Sequence, residues 1–174
     1  MFAHGAFLTV GGYTAMVTTQ AGISPWLSAP AALAFGFAGG LLIERFIVRP
    51  LYDRPLDAIL ATWGLGIVIG QLITLGFGRE VQFAASPLEG TLSLGDIDYS
   101  AYRLAVSAIA LAIAAGLTAL LYLTRFGLNA RAVIMNETLA RGLGIDSARV
   151  RAVTFGLGAG LTCAAGALIT PLLS

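Results

Sequence analysis

The chain is 174 residues long, 57% hydrophobic and 11% charged; an ordinary soluble domain carries about a quarter charged residues, so lipid is the solvent for most of it. A formal net charge of +1 argues against a nucleic-acid partner, because phosphate binding needs a concentrated basic surface. All ten basic residues are Arg, which also excludes lysine Schiff-base and P-loop lysine chemistry from this chain.

In chain order, no Asp, Glu, Lys or Arg precedes Glu44. That stretch is too long for one helix across a hydrocarbon core about 30 Å thick, which takes roughly 20 residues, so it holds two crossings. The first runs from Gly5 to Thr19, is short, and meets turn formers at Gly22, Ser24 and Pro25. The second runs from Trp26 to Val48, the third from Ala58 to Phe77, the fourth from Arg103 to Thr124 and the fifth from Ala152 to Leu173. The expected fold class is all-α, a polytopic transmembrane bundle of about five spans in one membrane domain over 1–174. The N-terminus lacks the basic region and cleavage site of a secretory signal. The short first run and the missing polar tail after the fifth make a chain lacking both ends the expectation.

Basic residues near span ends set orientation. Arg45, Arg49 and Arg54 fall between spans two and three, and Arg125, Arg131, Arg141, Arg149 and Arg151 between four and five, so 44–57 and 125–151 are expected in the cytoplasm. The opposite side holds only Arg79, in the connection 78–102, and Arg103 at the start of the fourth span, beside Glu80, Glu89, Asp96 and Asp98, so 78–102 is expected outside. Within it, Thr91–Leu94 and Ile97–Tyr99, parted by Gly95-Asp96, predict a small hairpin.

Glycine is abundant, with 22 residues, many inside spans where each lowers helix propensity by about 1 kcal/mol relative to Ala. The pairs Gly36 and Gly40, Gly66 and Gly70, and Gly156 and Gly160 are each four apart, on one helix face, and are expected to admit a neighbouring helix. The run Gly156–Gly160 is no dinucleotide loop, because it lies inside an apolar run with no strand before it. Cys163, the only cysteine, has no partner for a disulfide or a cysteine metal site.

The connection from Arg125 to Arg151 is too long to be a mere joint. Its pattern predicts a short helix that ends at Gly142 or Gly144 and a second that restarts from Asp146 as N-cap. A structured connection of this kind suits docking on a partner and carrying motion into the adjoining spans. An Arg-rich helix lying on the lipid surface fits the same residues.

The run TRFGLNARAVIMNETLARGLGIDSARVRAVTFGLGAGLTCAAGAL, from Thr124 to Leu168, resembles the coupling-loop region of the branched-chain amino acid ABC transporter permeases and of the related urea and short-chain amide permeases. AHGAFLTVGGY, from Ala3 to Tyr13, and RPLYDRPLDAILATWGLGIVIGQ, from Arg49 to Gln71, resemble the same family. The resemblance covers most of the chain in the expected order. It implies a bacterial inner-membrane permease paired, as homo- or heterodimer, with a second permease subunit, two cytoplasmic ATP-binding subunits and a periplasmic solute-binding protein, with no cofactor bound by this chain. It further implies that Asn136, Glu137, Ala140, Arg141, Gly144, Ile145 and Asp146 fit the ATPase cleft. The general ABC importer pattern has two alanines after the glutamate; here Thr138 and Leu139 follow Glu137.

His4, the only histidine, lies in the AHG motif, and an ionisable group inside a membrane is a functional candidate. With Gly11, Gly12 and Tyr13 it is a candidate for shaping the solute pathway; a helix-terminal histidine bonded to backbone is the alternative. Thr62 and Gln71, nine residues apart in the third span, are expected on one side of that helix, to bond either solute or a neighbouring helix. Arg49, Asp53, Arg54 and Asp57 read as a structural cluster at the mouth of the third span. Three functions follow in order of preference: an ABC permease for branched-chain amino acids or for urea and short amides, the Trp63 stretch leaning to the latter; a passive solute channel; and, last, a membrane enzyme, for which no HExxH, Ser or Cys beside His, or paired intramembrane carboxylate is present.

Overall fold

The computed structural model describes residues 3–21, 25–78, 91–94 and 97–172. These form seven α-helices and one two-stranded hairpin, with short 3₁₀ and π turns between them. The chain divides into two compact units, Met1–Pro87 with Phe155–Ser174, and Leu88–Thr154.

The first unit holds α1 (Ala3–Gln20), α2 (Ser28–Ile43), α3 (Pro55–Phe77) and, from Phe155 onward, α7 (Ser147–Ile169). Its core is made of small residues. Phe7 and Ala15 of α1, Ala32 of α2, and Ala159, Cys163 and Ala167 of α7 form one buried cluster, with Val10, Ile43 and Phe155 against it. Four-residue spacing accounts for the seam: Ser28, Ala32, Gly36 and Gly40 are the buried residues of α2, one stripe of a 3.6-residue helix. Lipid tails are as apolar as leucine, so helices in a bilayer associate through close packing of such small side chains rather than by escaping water.

Among the described residues, four helical stretches are long and apolar enough to cross a membrane: Ser28–Leu51, Pro55–Phe77, Ala101–Leu123 and Ser147–Leu172. They match the second to fifth expected crossings. The first expected crossing forms α1, 18 residues or about 27 Å long, but it is not among the four. Four threonines, His4 and Gln20 dilute its apolar character. Packing explains how such a helix is tolerated. α1 lies against both α2 and α3, and the hydroxyls of Thr9, Thr14, Thr18 and Thr19 donate to carbonyls three or four residues back, which leaves them satisfied without water.

The connection expected from 44 to 57 is mostly helix. After α2 the chain winds on through a π turn at Glu44–Val48 and a 3₁₀ turn at Arg49–Leu51. The reason is Glu44, 1% exposed, whose Oε1 accepts from the Tyr52 hydroxyl at 3.0 Å. That bond needs eight residues wound in register, and Pro50, in the 3₁₀ turn, sits where a missing N–H costs nothing. Only Tyr52–Arg54 separate this turn from α3, which Pro55 opens. Arg54 and Asp57 form the one ion pair of the expected cluster seen among the described residues, at 3.8 Å and exposed.

The second unit contains the hairpin, α4 (Ala101–Leu123), α5 (Arg125–Met135), α6 (Glu137–Gly142) and the first turns of α7. Strand β1 (Thr91–Leu94) pairs antiparallel with β2 (Ile97–Ser100), Leu94 opposite Ile97 and Thr91 opposite Ser100, as the alternating pattern predicts. Arg79, Glu80, Glu89 and the Gly95-Asp96 turn lie outside the described residues, as do Gly22 and Ser24.

Candidate functional site

The connection after α4 is built from caps. Thr124, in extended conformation, ends α4 and opens α5, its hydroxyl oxygen accepting from the Gly127 amide at 3.2 Å. A Cβ on Gly127 would collide with the main chain of Leu121, so glycine is what lets the chain fold back at this elbow. Arg131 lies over the Tyr122 ring, 5.0 Å from its centroid, a cation–π contact that steadies α5 against the end of α4.

Asn136 then breaks the helix. Its extended backbone (φ −159°, ψ 101°) and its Oδ1, which accepts from the Leu139 amide at 3.0 Å, make it the N-cap of α6. The single helix expected over this stretch is therefore two, because an asparagine competes with the helical backbone for its own amides. At the other end α6 closes as the glycine pattern predicts. Gly144 takes φ +83°, its amide donates to the Arg141 carbonyl, and the Ile145 amide donates to the Ala140 carbonyl, each at 3.0 Å. This is the paired closure in which a left-handed glycine satisfies the last carbonyls of a helix. Asp146 caps α7, accepting from the Arg149 amide at 3.0 Å.

Charge is concentrated at Glu137. One carboxylate oxygen receives the Arg141 and Arg151 guanidiniums, each at 2.6 Å, and the Arg141 Nε donates to the Ser147 hydroxyl at 2.8 Å. A hydrogen bond from Ser147, followed by the two arginine charges, holds the Glu137 carboxyl below its usual value against its partial burial. Ser147 is buried. Asn136, Glu137, Arg141 and Asp146 thus all have structural tasks in capping or pairing, and Ala140 is buried beneath α6. Sequence reasoning missed Ser147 and Arg151. Their spacing of four marks a shared helix face, but nothing in the sequence aims that face at Glu137. Apolar side chains stand outward on the same connection: Ile134, Met135, Leu139 and Leu143 are 82%, 87%, 63% and 73% exposed.

In the first unit the pathway candidates are placed as follows. His4 is exposed in the first turn of α1, and its Nε2 lies 3.5 Å from where a Cβ on Gly158 would be. Gly11 is packed so tightly that a Cβ would strike the Cys163 carbonyl, whereas one on Gly12 would lie 2.7 Å from the Thr170 hydroxyl. Tyr13 stacks at a tilt on Phe77 with ring centroids 4.9 Å apart. Thr62 and Gln71 do not share a side. Thr62 is buried and donates to the Ile59 carbonyl at 3.0 Å, while Gln71 is exposed. Nine residues of about 100° each make two and a half turns, which sets them on opposite faces.

The glycine pairs also differ. A Cβ on Gly36 would lie 2.6 Å from the Cys163 sulfur, one on Gly40 2.7 Å from the Ala159 Cβ, one on Gly156 3.2 Å from the Phe37 ring and one on Gly160 2.8 Å from the Leu33 carbonyl. One on Gly70 would meet nothing within 4 Å, and Gly66 is half-buried on the same helix. Around them α3 fully buries only Thr62, while Leu56, Leu60, Trp63, Leu72 and Leu75 are exposed.

Comparison with known proteins agrees with the resemblance. The family model for the permease component of branched-chain amino acid transport systems matches residues 1–173. The chain is 30% identical over 179 residues to a probable branched-chain amino acid transport permease protein LivH of Methanocaldococcus jannaschii. It is 30% identical over 184 residues to the high-affinity branched-chain amino acid transport system permease protein LivH of Escherichia coli K12, and 25% identical over 183 residues to BraD of Pseudomonas aeruginosa, which carries the same description. Each match takes in 97% of this chain, and the chain spans 56%, 59% and 60% of the respective relatives. No solved structure matches significantly. Four helices of crossing length and this kinship make it a multi-pass membrane protein, and the chain belongs to the family of branched-chain amino acid transport system permease components.

Proposed function

We propose that this chain is the larger part of a permease subunit of an ABC importer in the bacterial inner membrane, moving branched-chain amino acids or closely similar small solutes. The match to the permease family over residues 1–173 carries the reading. In this reading the chain performs no chemistry and binds no cofactor. ATP is hydrolysed by two cytoplasmic partner subunits, a second permease completes the pathway, and a periplasmic binding protein delivers the solute.

The connection 125–151 is the cytoplasmic docking element, in keeping with its five arginines, and 78–102 is external. Capped at both ends, α6 offers the ATPase a preformed knob with Leu139 and Leu143 outward. The glycine-lined seam of α1, α2 and α7 forms one wall of the bundle, with His4, Gly12 and Tyr13 on α1 as candidate solute contacts and, of the two polar residues on opposite faces of α3, the exposed Gln71.

The test is co-purification and uptake. The full-length protein, expressed with its paired permease and ATPase subunits, is expected to co-purify with the ATPases and to drive ATP-dependent leucine uptake in proteoliposomes. Urea uptake in place of leucine assigns it to the amide branch. Uptake that persists without ATP or ATPase makes it a channel and overturns the reading.

A further inference from the structure

We propose that Glu137 is a positioning residue that clamps α6 to the start of α7, so that a push on α6 turns α7 instead of bending the chain at Gly144. The inference rests on the reading of α6 as the docking element and assigns the part that transmits its motion.

The covalent path between the two helices is soft. Gly142 ends α6, Gly144 has a left-handed backbone, and four residues separate α6 from Ser147, where α7 begins. Residues of this kind at an element's end absorb large dihedral changes. The non-covalent path is firm. Glu137 and Arg151 are 14 residues apart and meet at 2.6 Å, and Arg141 and Ser147 join across 2.8 Å. Two residues of α6 are thus tied to two residues one turn apart on α7, and two points of attachment resist rotation where one does not.

Partial burial strengthens the tie. The Arg151 side chain is 24% exposed and that of Glu137 35%, and Ser147 is 2% exposed, so solvent screens this network less than a pair in open water. By contrast the pair Arg149–Asp146, 4.0 Å apart with side chains 82% and 61% exposed, has the geometry of one that contributes little. The faces of α6 divide the labour. Glu137 and Arg141, four apart, share the side toward α7, while Leu139 and Leu143 lie about 200° around the helix and are exposed. One side receives the push, and the other passes it on.

The experiment uses the full-length permease reconstituted with its partner subunits. Arg151→Gln is expected to lower solute moved per ATP at least fivefold, with Arg151→Lys recovering half or more. Glu137→Gln combined with Arg151→Gln is expected to do no more harm than the worse single change, as for residues acting as one unit. A transport-to-ATP ratio unaltered in Arg151→Gln, or single effects that multiply in the double variant, overturns the proposal. A second measurement needs no ATPase. With Cys163→Ala as background, spin labels at Leu139→Cys and Arg149→Cys in nanodiscs are expected to give a distance distribution at least twice as wide in Glu137→Gln as in its parent; an equal width overturns the clamp. Failure to bind any ATPase with widening observed sinks the docking reading and leaves the clamp standing.

Discussion

The thiol of Cys163 donates to the main-chain carbonyl of Phe7 across 3.0 Å, joining residues 156 apart in sequence. One helical turn beyond Phe7, Gly11 faces the Cys163 main chain so closely that any side chain would overlap it. The two contacts hold α1 and α7 backbone to backbone. They predict a sharp contrast between glycines that look alike in sequence. Gly11→Ala forces two helices apart and is expected to cost about 3 kcal/mol, the upper end of ordinary overpacking. Gly64→Ala, with nothing within 4 Å, is expected to stay within about 0.5 kcal/mol of the parent. Unfolding midpoints in mild detergent check both.

Glu44 makes a second prediction. Its carboxyl group is 1% exposed and accepts from Tyr52. Tyr52→Phe removes that donor and is expected to cost about 1–3 kcal/mol, the penalty for a buried polar group that loses a partner. Glu44→Gln keeps an acceptor oxygen for the Tyr52 hydroxyl, so its loss is expected to be smaller. The same detergent midpoints rank the two, and the reverse order would refute the assignment.

The caps of α6 are separable. Asn136→Ala removes the bond to the Leu139 amide and is expected to destabilise α6 by about 1 kcal/mol. Gly144→Ala places a Cβ on a backbone at φ +83°, which costs roughly 1–2 kcal/mol. Hydrogen exchange of the α6 amides in nanodiscs is expected to speed up several-fold in each variant, with α4 unchanged.

The pH dependence of the Glu137 network follows from the direction of its shift. Its carboxyl is held below the usual 4.5, first by Ser147 and then by Arg151 and Arg141. Because the folded-state value is the lower one, the stabilisation is complete above the usual value and is lost as the pH falls through the folded-state value. Protection of α6 is therefore expected to be flat from neutrality down to the usual carboxylate range and to fall only on further acidification. Glu137→Gln should show weaker protection throughout and lose the acid transition. A decline that begins near neutrality would contradict the network.

Much of the fold was legible because hydropathy and punctuation are local. The second to fifth spans, the hairpin pairing of Thr91–Leu94 with Ile97–Ser100, the closure at Gly144 and the cap at Asp146 all appear where the residue pattern puts them. The break at Asn136 carries a local signal, an asparagine directly before a glutamate, but the helical pattern on both sides of it masks that signal. The partners of Glu137 on α7 and the carboxyl–hydroxyl bond of Glu44 carried none, since each joins residues whose spacing fits many other arrangements.

By itself the sequence determined which segments leave water and where helices begin and end, because transfer into lipid and the capping of backbone amides depend on a residue and its near neighbours. Only the tertiary structure decided which faces meet. Gly11, Gly36 and Gly64 are equivalent as letters, and Thr62 and Gln71 are equally polar. The approach of one helix to another makes the first two glycines irreplaceable and the third incidental, and hides Thr62 while exposing Gln71. Close packing is a property of pairs of surfaces in space, and a linear pattern of residue types does not contain it.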